Sequence, residues 1–244
     1  MKGEHWWKAS EPALAHCVMT DDLNKRALVI GASGGIGSAV AGSLEGRGWD
    51  VVRLSRREHR FDVTDPNRVA EALEGLQGTF DLIFVAVGIL AAPDGAPEKS
   101  LDAIEAESMQ QVFAVNTIGP ALILRHAADL LSRDRRGVIA TLSARVGSIG
   151  DNKIGGWYSY RASKAALNQI VHGAAIELGR THKQAICVAL HPGTVETPFT
   201  AKYAGRHKTV PAVEAAKNLI ALVEGLTPDQ TGKFFDYAGK EIVW

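Results

Sequence analysis

Tyr160 and Lys164 stand four residues apart in the stretch Gly156-Trp157-Tyr158-Ser159-Tyr160-Arg161-Ala162-Ser163-Lys164. On a helix that spacing puts both side chains on one face, one turn apart. A free tyrosine hydroxyl titrates near ~10, too high for acid–base work at neutral pH. A lysine ammonium held close favours the phenolate and lowers that value. Such a pair is equipped to give a proton to a carbonyl oxygen. A solvent-exposed helical pair is the plainer reading of the same residues. The rest of the chain decides whether anything is brought to Tyr160 to be protonated. Tyr158 lacks the partner, because the residue four positions on is Ala162.

The run Arg26-Ala27-Leu28-Val29-Ile30 reads as a buried parallel strand. It leads into Gly31-Ala32-Ser33-Gly34-Gly35-Ile36-Gly37, and a helical stretch opens at Ser38. Strand, glycine loop and helix in that order form a nucleotide-binding context. Gly31 allows the tight turn, Gly35 lets the backbone approach a pyrophosphate, and Gly37 lets the helix pack close. Ser33 and Ile36 belong to the same loop and count with it as cofactor contacts. The free N–H groups at the helix start favour phosphate. The spacing is G-x-x-x-G-x-G, not the commoner G-x-G-x-x-G.

A second strand over Asp50-Val51-Val52-Arg53-Leu54-Ser55 completes a βαβ unit. An acidic residue at its end, about 20 positions after the loop, would hold a ribose 2′-hydroxyl. Ser55 stands there, followed by Arg56 and Arg57. A guanidinium pairs with a 2′-phosphate where a carboxylate repels it. The arginines therefore read as a preference for NADP(H) over NAD(H), Arg56 first. A solvated surface is the alternative for this run. Phe61-Asp62-Val63 reads as a short strand edge, with Asp62 either accepting from an adenine amino group or capping a turn.

Further strands are expected at 81–88, 137–142, 185–190 and 233–236. Gly88 falls at the carboxyl edge of the sheet, where open α/β folds bind ligands. Residues 90–97 form a loop rich in Gly, Pro and Ala. A long helix is expected over 108–133 with Pro120 inside it. Proline gives no N–H to the carbonyl four residues back, which is that of Asn116. That carbonyl is either free to hold a water or marks a simple kink. Ser143 and Ser148 follow the 137–142 strand, as turn formers or as hydroxyls for a substrate carbonyl. His191 closes the next strand as a structural residue, followed by the rigid turn Pro192-Gly193-Thr194-Val195-Glu196-Thr197. Residues 198–210 read as a lid, and 213–225 as an amphipathic helix. Strands alternate with helices throughout, which means an α/β fold: a parallel sheet of about seven strands with helices on both faces.

Lys+Arg and Asp+Glu number 27 each, so no global field favours nucleic acid or an anionic membrane. The two cysteines, Cys17 and Cys187, imply no disulfide framework, which fits a reducing cytosol and a cytoplasmic location. No apolar run approaches the length of a membrane span, and no metal-ligand motif stands out. Residues 1–24 read as an N-terminal extension and 25–244 as a single domain.

Together these features resemble the short-chain dehydrogenase/reductase family over about residues 23–244. The resemblance is carried by Gly31, Gly35 and Gly37, Asp62-Val63, Gly88, Asn116, the serine region, Tyr160 with Lys164, and Pro192-Gly193 with Val195 and Thr197. The runs Ser143-Ala144-Arg145-Val146-Gly147-Ser148 and Gly155-Gly156-Trp157-Tyr158-Ser159-Tyr160-Arg161-Ala162-Ser163-Lys164, with the tail from Asp236-Tyr237 to Trp244, look most like the C-factor (C-signal) and sniffer-type carbonyl reductase branch.

The resemblance implies a Rossmann-like, doubly wound single domain and NADP(H)-dependent hydride transfer between nicotinamide and a small carbonyl or alcohol. Tyr160 would be the acid–base group. Lys164 would lower its pKa and bind the nicotinamide ribose. Asn116 would hold a relay water, and a serine would bind the carbonyl oxygen. It also implies a homodimer or homotetramer. The chain departs from the family at Val85-Ala86-Val87-Gly88, where Asn-Asn-Ala-Gly is usual. It departs again where the usual catalytic serine falls on Ala144, which leaves Ser143 as the expected donor and Ser148 behind it. The gap from this serine to Tyr160 is also longer than usual. The alternative function is a signalling protein that binds the dinucleotide and turns over little.

Overall fold

The computed structural model describes residues 25–93, 95–197 and 209–244. The expected extension 1–24, Cys17 and residues 198–208 of the expected lid lie outside the described residues. The elements in order are β1 (Arg26–Ile30), α1 (Gly35–Glu45), β2 (Asp50–Leu54), α2 (Arg56–His59), α3 (Pro66–Glu74), β3 (Leu82–Val85), α4 (Ala106–Phe113) and α5 (Gly119–Ala127). They continue with β4 (Gly137–Leu142), α6 (Tyr158–Thr181), β5 (Ala185–His191), β6 (Val195–Glu196), β7 (Val210–Pro211), α7 (Ala212–Gly225) and β8 (Phe234–Asp236).

The main sheet is parallel and runs β2-β1-β3-β4-β5-β8. Alternation along each strand divides its side chains between two cores. Leu28 and Ile30 of β1 face a core shared with Val69 and Leu73 of α3, Ile123 of α5, and Leu167 and Val171 of α6. Ala27 and Val29 face the opposite core, with Val40 and Leu44 of α1 and Leu219 and Ile220 of α7. Both faces are therefore covered, which is why β3 and β4 are apolar runs buried on both sides. Each large apolar side chain sealed in this way contributes about 1.5–3 kcal/mol.

The chain winds outward from β1 to β2 and then resumes on the other side at β3. The reversal opens a crevice beyond the carboxyl ends of β1 and β3, the ligand position in such sheets.

Two expectations are corrected. The sheet has six strands among the described residues, because 61–63 forms no strand. Phe61 and Val63 are buried, but the backbone turns at Val63 and Thr64. The Asp62 carboxylate accepts from the Thr64 N–H and hydroxyl at 2.9 and 2.8 Å and fixes that turn. The helix expected over 108–133 starts at Ala106, ends at Ala127 and changes pitch on the way. Ala114–Ile118 is a π-helical turn, in which the Gly119 N–H reaches the Ala114 carbonyl. Pro120 offers no N–H to Asn116, and a widened turn at that point is how a helix absorbs the missing donor. Of the expected lid, Thr209 and Val210 are described: Val210 pairs with Val195 in a small parallel sheet, and the Thr209 hydroxyl donates to Glu196.

Candidate active site

The residues expected to carry function collect along the carboxyl edge of the sheet. Gly31 follows β1 with φ of +85°, and a Cβ there would lie 2.4 Å from the Ala86 carbonyl oxygen. A Cβ on Gly37 would lie 2.2 Å from the Gly31 oxygen, so helix and turn meet at backbone contact. Gly35 faces Thr197, whose Cγ2 would be 2.5 Å from an added Cβ. The loop therefore packs directly against the turn after β5, across the crevice. Ser33 is exposed on the loop and Ile36 is half-buried under it. No side chain caps α1 and no acidic residue sits in its first turn, so its positive end is presented to the crevice. A glycine cradle and an uncapped helix start fit a pyrophosphate.

At the end of β2, buried Ser55 caps α2 by accepting from the Glu58 N–H at 3.3 Å. Arg56 is the first residue of α2 and is exposed. Asp62 is held below the usual carboxylate range, chiefly by the bonds from Thr64, with the charge of Arg56 adding to the effect. The Arg56 charge is thus felt at Asp62. Arg53 does not join them: its guanidinium forks onto Glu45 at 2.8 and 2.7 Å.

Past β3, a Cβ on Gly88 would lie 3.3 Å from Asn116 Oδ1 and 3.4 Å from Lys164 Nζ. Gly88, Asn116 and Lys164 therefore converge on one point. Asn116 is fully buried, and its amide accepts from the Ile89 N–H at 2.7 Å and donates to the Ile89 carbonyl at 2.8 Å. Its Nδ2 also donates to Ser163 Oγ at 3.1 Å. Gly119, next to the π turn, packs on Val63, where a Cβ would meet Val63 Cγ2 at 2.8 Å. That contact is the observed role of Val63.

Tyr160 and Lys164 lie on the first turns of α6, both buried, at 7% and 3% exposure. Lys164 Nζ donates to the Leu142 carbonyl at the end of β4, at 2.9 Å. Burial pushes Tyr160 well above the ordinary tyrosine value and pulls Lys164 down to about 7. The lowering of Tyr160 expected from the lysine does not appear; desolvation dominates and holds the phenol neutral.

Ser143 is buried, and its hydroxyl donates to Asn168 Oδ1 at 2.6 Å. Asn168 sits one further turn along the Tyr160–Lys164 face. Ser143 is thus directed at α6, and contact with a substrate carbonyl would require it to leave Asn168. Ser148 Oγ accepts from the Asp151 N–H at 3.0 Å. Ala144 is buried between them in sequence and carries no hydroxyl.

His191 ends β5, and burial first, with the Arg145 charge adding, lowers its pKa to about 4, so it is neutral at physiological pH. Arg145 Nη2 pairs with Asp236 at 2.9 Å and Nη1 with Asp151 at 3.1 Å, tying the segment after β4 to the end of β8. Pro192 and Gly193 follow His191. Gly193 has φ of +79° and packs on the Tyr237 ring. Val195 is buried in β6, and Thr197 covers the glycine loop.

Several residues of the site were not anticipated. Asn168 was accessible, since positions 160, 164 and 168 form one helical stripe. Ser163 and Glu98 were not: their partners, Asn116 and Ser159, lie 47 and 61 residues away. Among the described residues no group of three or more His, Cys, Asp or Glu side chains could hold a metal ion, and no helix is long and apolar enough to cross a membrane.

The family model for short chain dehydrogenases matches residues 25–207. C-signal of Myxococcus xanthus is 34% identical over 148 residues, 59% of this chain and 84% of that protein. A Burkholderia multivorans short-chain dehydrogenase/reductase solved with bound NADP superposes with a TM-score of 0.76 at 27% identity, over 91% of this chain and 100% of that one. The NADPH-bound carbonyl reductase from chicken fatty liver superposes with a TM-score of 0.75 at 25% identity, over 90% of this chain and 99% of that one. The doubly wound sheet and the length of the family match lead to one conclusion: this chain belongs to the short-chain dehydrogenase family.

Proposed function

We propose that the protein is an NADP(H)-dependent oxidoreductase acting on a small carbonyl or alcohol, with Tyr160 as the acid–base group. The observation that carries this reading is the convergence of Lys164, Gly88 and Asn116 one helical turn from Tyr160, beside the glycine crevice. Bound there, a nicotinamide supplies or accepts the hydride. Gly31, Ser33, Gly35, Ile36 and the start of α1 hold the pyrophosphate, with Thr197 closing over them. Arg56 pairs with the 2′-phosphate, and Asp62 and Val63 line the adenine side. Gly88, Pro192, Gly193 and Val195 line the nicotinamide side. Lys164, which donates to the Leu142 carbonyl, would also hold the ribose hydroxyls.

The Tyr160 hydroxyl donates its proton to the substrate oxygen in reduction and takes it back in oxidation. Burial keeps the phenol protonated, the state needed to donate. A charged Lys164 favours the tyrosinate left behind. Asn116 fixes the backbone at Ile89 and so orders the floor of the site. The serine expected at the carbonyl is not part of this proposal, because Ser143 spends its hydrogen on Asn168.

NADPH support comes from the NADP- and NADPH-bound relatives together with Arg56. The same engagement of Ser143, with 34% identity to C-signal, favours the second reading, a dinucleotide-binding regulator with little turnover. Consumption of NADPH across a panel of aldehydes, ketones and quinones separates the two. Turnover that needs Tyr160 supports the enzyme, whereas tight NADPH binding without turnover supports the regulator.

A further inference from the structure

The loop after β3 is tied at both ends to groups of the candidate site. At its start, Ile89 is held by Asn116. At its end, Glu98 stands buried against the first turn of α6, with 9% exposure. Its carboxylate accepts from the Ser159 N–H at 3.2 Å and from the Ser159 hydroxyl, and its backbone carbonyl accepts from the Trp157 N–H. α6 takes no side-chain cap from its own N-cap residue. Its N-cap residue, Trp157, is left-handed at φ +52°, and Gly155 and Gly156 before it are left-handed too, at +70° and +65°. A tryptophan in that region is strained and persists only when its surroundings impose it. The Glu98 contacts impose it here. The positive end of a 24-residue helix in turn favours the buried carboxylate. The strained turn sets the Trp157 indole edge-on to the Tyr160 ring, centroids 6.2 Å apart and planes at 68°.

We propose that Glu98 is a positioning residue for Tyr160: it caps the catalytic helix from the β3 loop and locks Trp157 against the tyrosine ring. The inference rests on the reading of Tyr160 as the acid–base group. Displacement of the loop by a substrate would reach Tyr160 through Glu98.

The test compares wild type with Glu98→Ala and Glu98→Gln. Glutamine keeps an acceptor for the Ser159 N–H and an N–H for the Ser159 oxygen. Loss of alignment predicts that Glu98→Ala lowers kcat by about tenfold or more, with NADPH Kd within about twofold, and that Glu98→Gln recovers most of the loss. The near-ultraviolet circular dichroism of the Trp157–Tyr160 pair, identified as the signal missing from Trp157→Phe and Tyr160→Phe, should collapse in the alanine variant and return in the glutamine one. Should Glu98→Ala fail to fold, Ser159→Ala removes one of the same bonds and is expected to lower kcat in the same way. An unchanged kcat and unchanged aromatic signal in a folded Glu98→Ala, or equal loss of NADPH binding and kcat, would overturn the proposal. If wild type shows no turnover at all, the oxidoreductase reading fails while the aromatic signal still decides the role of Glu98.

Discussion

Asn116 and Ile89 exchange two hydrogen bonds across 27 residues, the asparagine amide mimicking a strand partner for the backbone just beyond β3. The π turn that absorbs Pro120 brings Asn116 to this place. Asn116→Ala leaves a partly buried N–H and a carbonyl without these partners, at about 1–3 kcal/mol for each group left unsatisfied. Urea unfolding should show a lower midpoint for the variant, with Asn116→Asp, which keeps the acceptor alone, in between. An unchanged midpoint would mean that the pair does not hold the loop.

Arg56 is exposed at the end of β2 and its charge is felt at Asp62, so its loss should be felt by the 2′-phosphate alone. A charge-assisted hydrogen bond contributes about 1.5–3 kcal/mol, so Arg56→Ala should weaken NADPH by about tenfold or more. NADH affinity should stay within about twofold. Equal weakening of both cofactors, measured by fluorescence titration, would remove Arg56 from the phosphate site.

Lys164 gives cofactor binding a pH dependence of fixed sign. Burial lowers its pKa to about 7 in the free protein. Ribose hydroxyls and cofactor phosphates favour the ammonium, so binding raises the value. Affinity is then full below about 7 and falls as pH rises toward the bound value, by at most about tenfold per unit for one proton taken up. NADPH titrations between pH 7 and 9 should show the loss, and Lys164→Met should flatten it. An affinity that rises with pH over this range would reverse the assignment.

Ser143 is treated by this structure as part of the frame. Ser143→Ala orphans a buried Asn168 oxygen and should destabilise by about 1–3 kcal/mol. The remaining kcat should stay within about tenfold of wild type, well short of the loss expected for a proton donor. A loss of kcat of a hundredfold or more with unchanged stability would instead place its hydroxyl at the substrate carbonyl.

The covering of both sheet faces was legible because apolar runs alternate with amphipathic stretches. The glycine loop was legible because its geometry is local: Gly31 and Gly37 stand at backbone contact and Gly35 against the Thr197 side chain. The strand expected at 61–63 failed because its apolar residues are equally served by a turn that buries Phe61 and Val63 around Asp62. Pro120 marks a missing donor in the sequence, but the sequence does not say whether a helix answers with a kink or a π turn. Ser143 and Glu98 were opaque for a common reason. Their roles depend on Asn168 and Ser159, 25 and 61 residues away, and single residues in loops carry no period that points to such partners.

The central claim is that Tyr160 moves the proton. Its most direct test is turnover and NADPH binding measured on the same preparations of wild type and Tyr160→Phe, with a carbonyl substrate drawn from the panel. General acid catalysis contributes about 100- to 10,000-fold. The account predicts that phenylalanine lowers kcat by at least about 100-fold while NADPH affinity stays within about twofold. A Tyr160→Phe variant that reduces the substrate at the wild-type rate would contradict it.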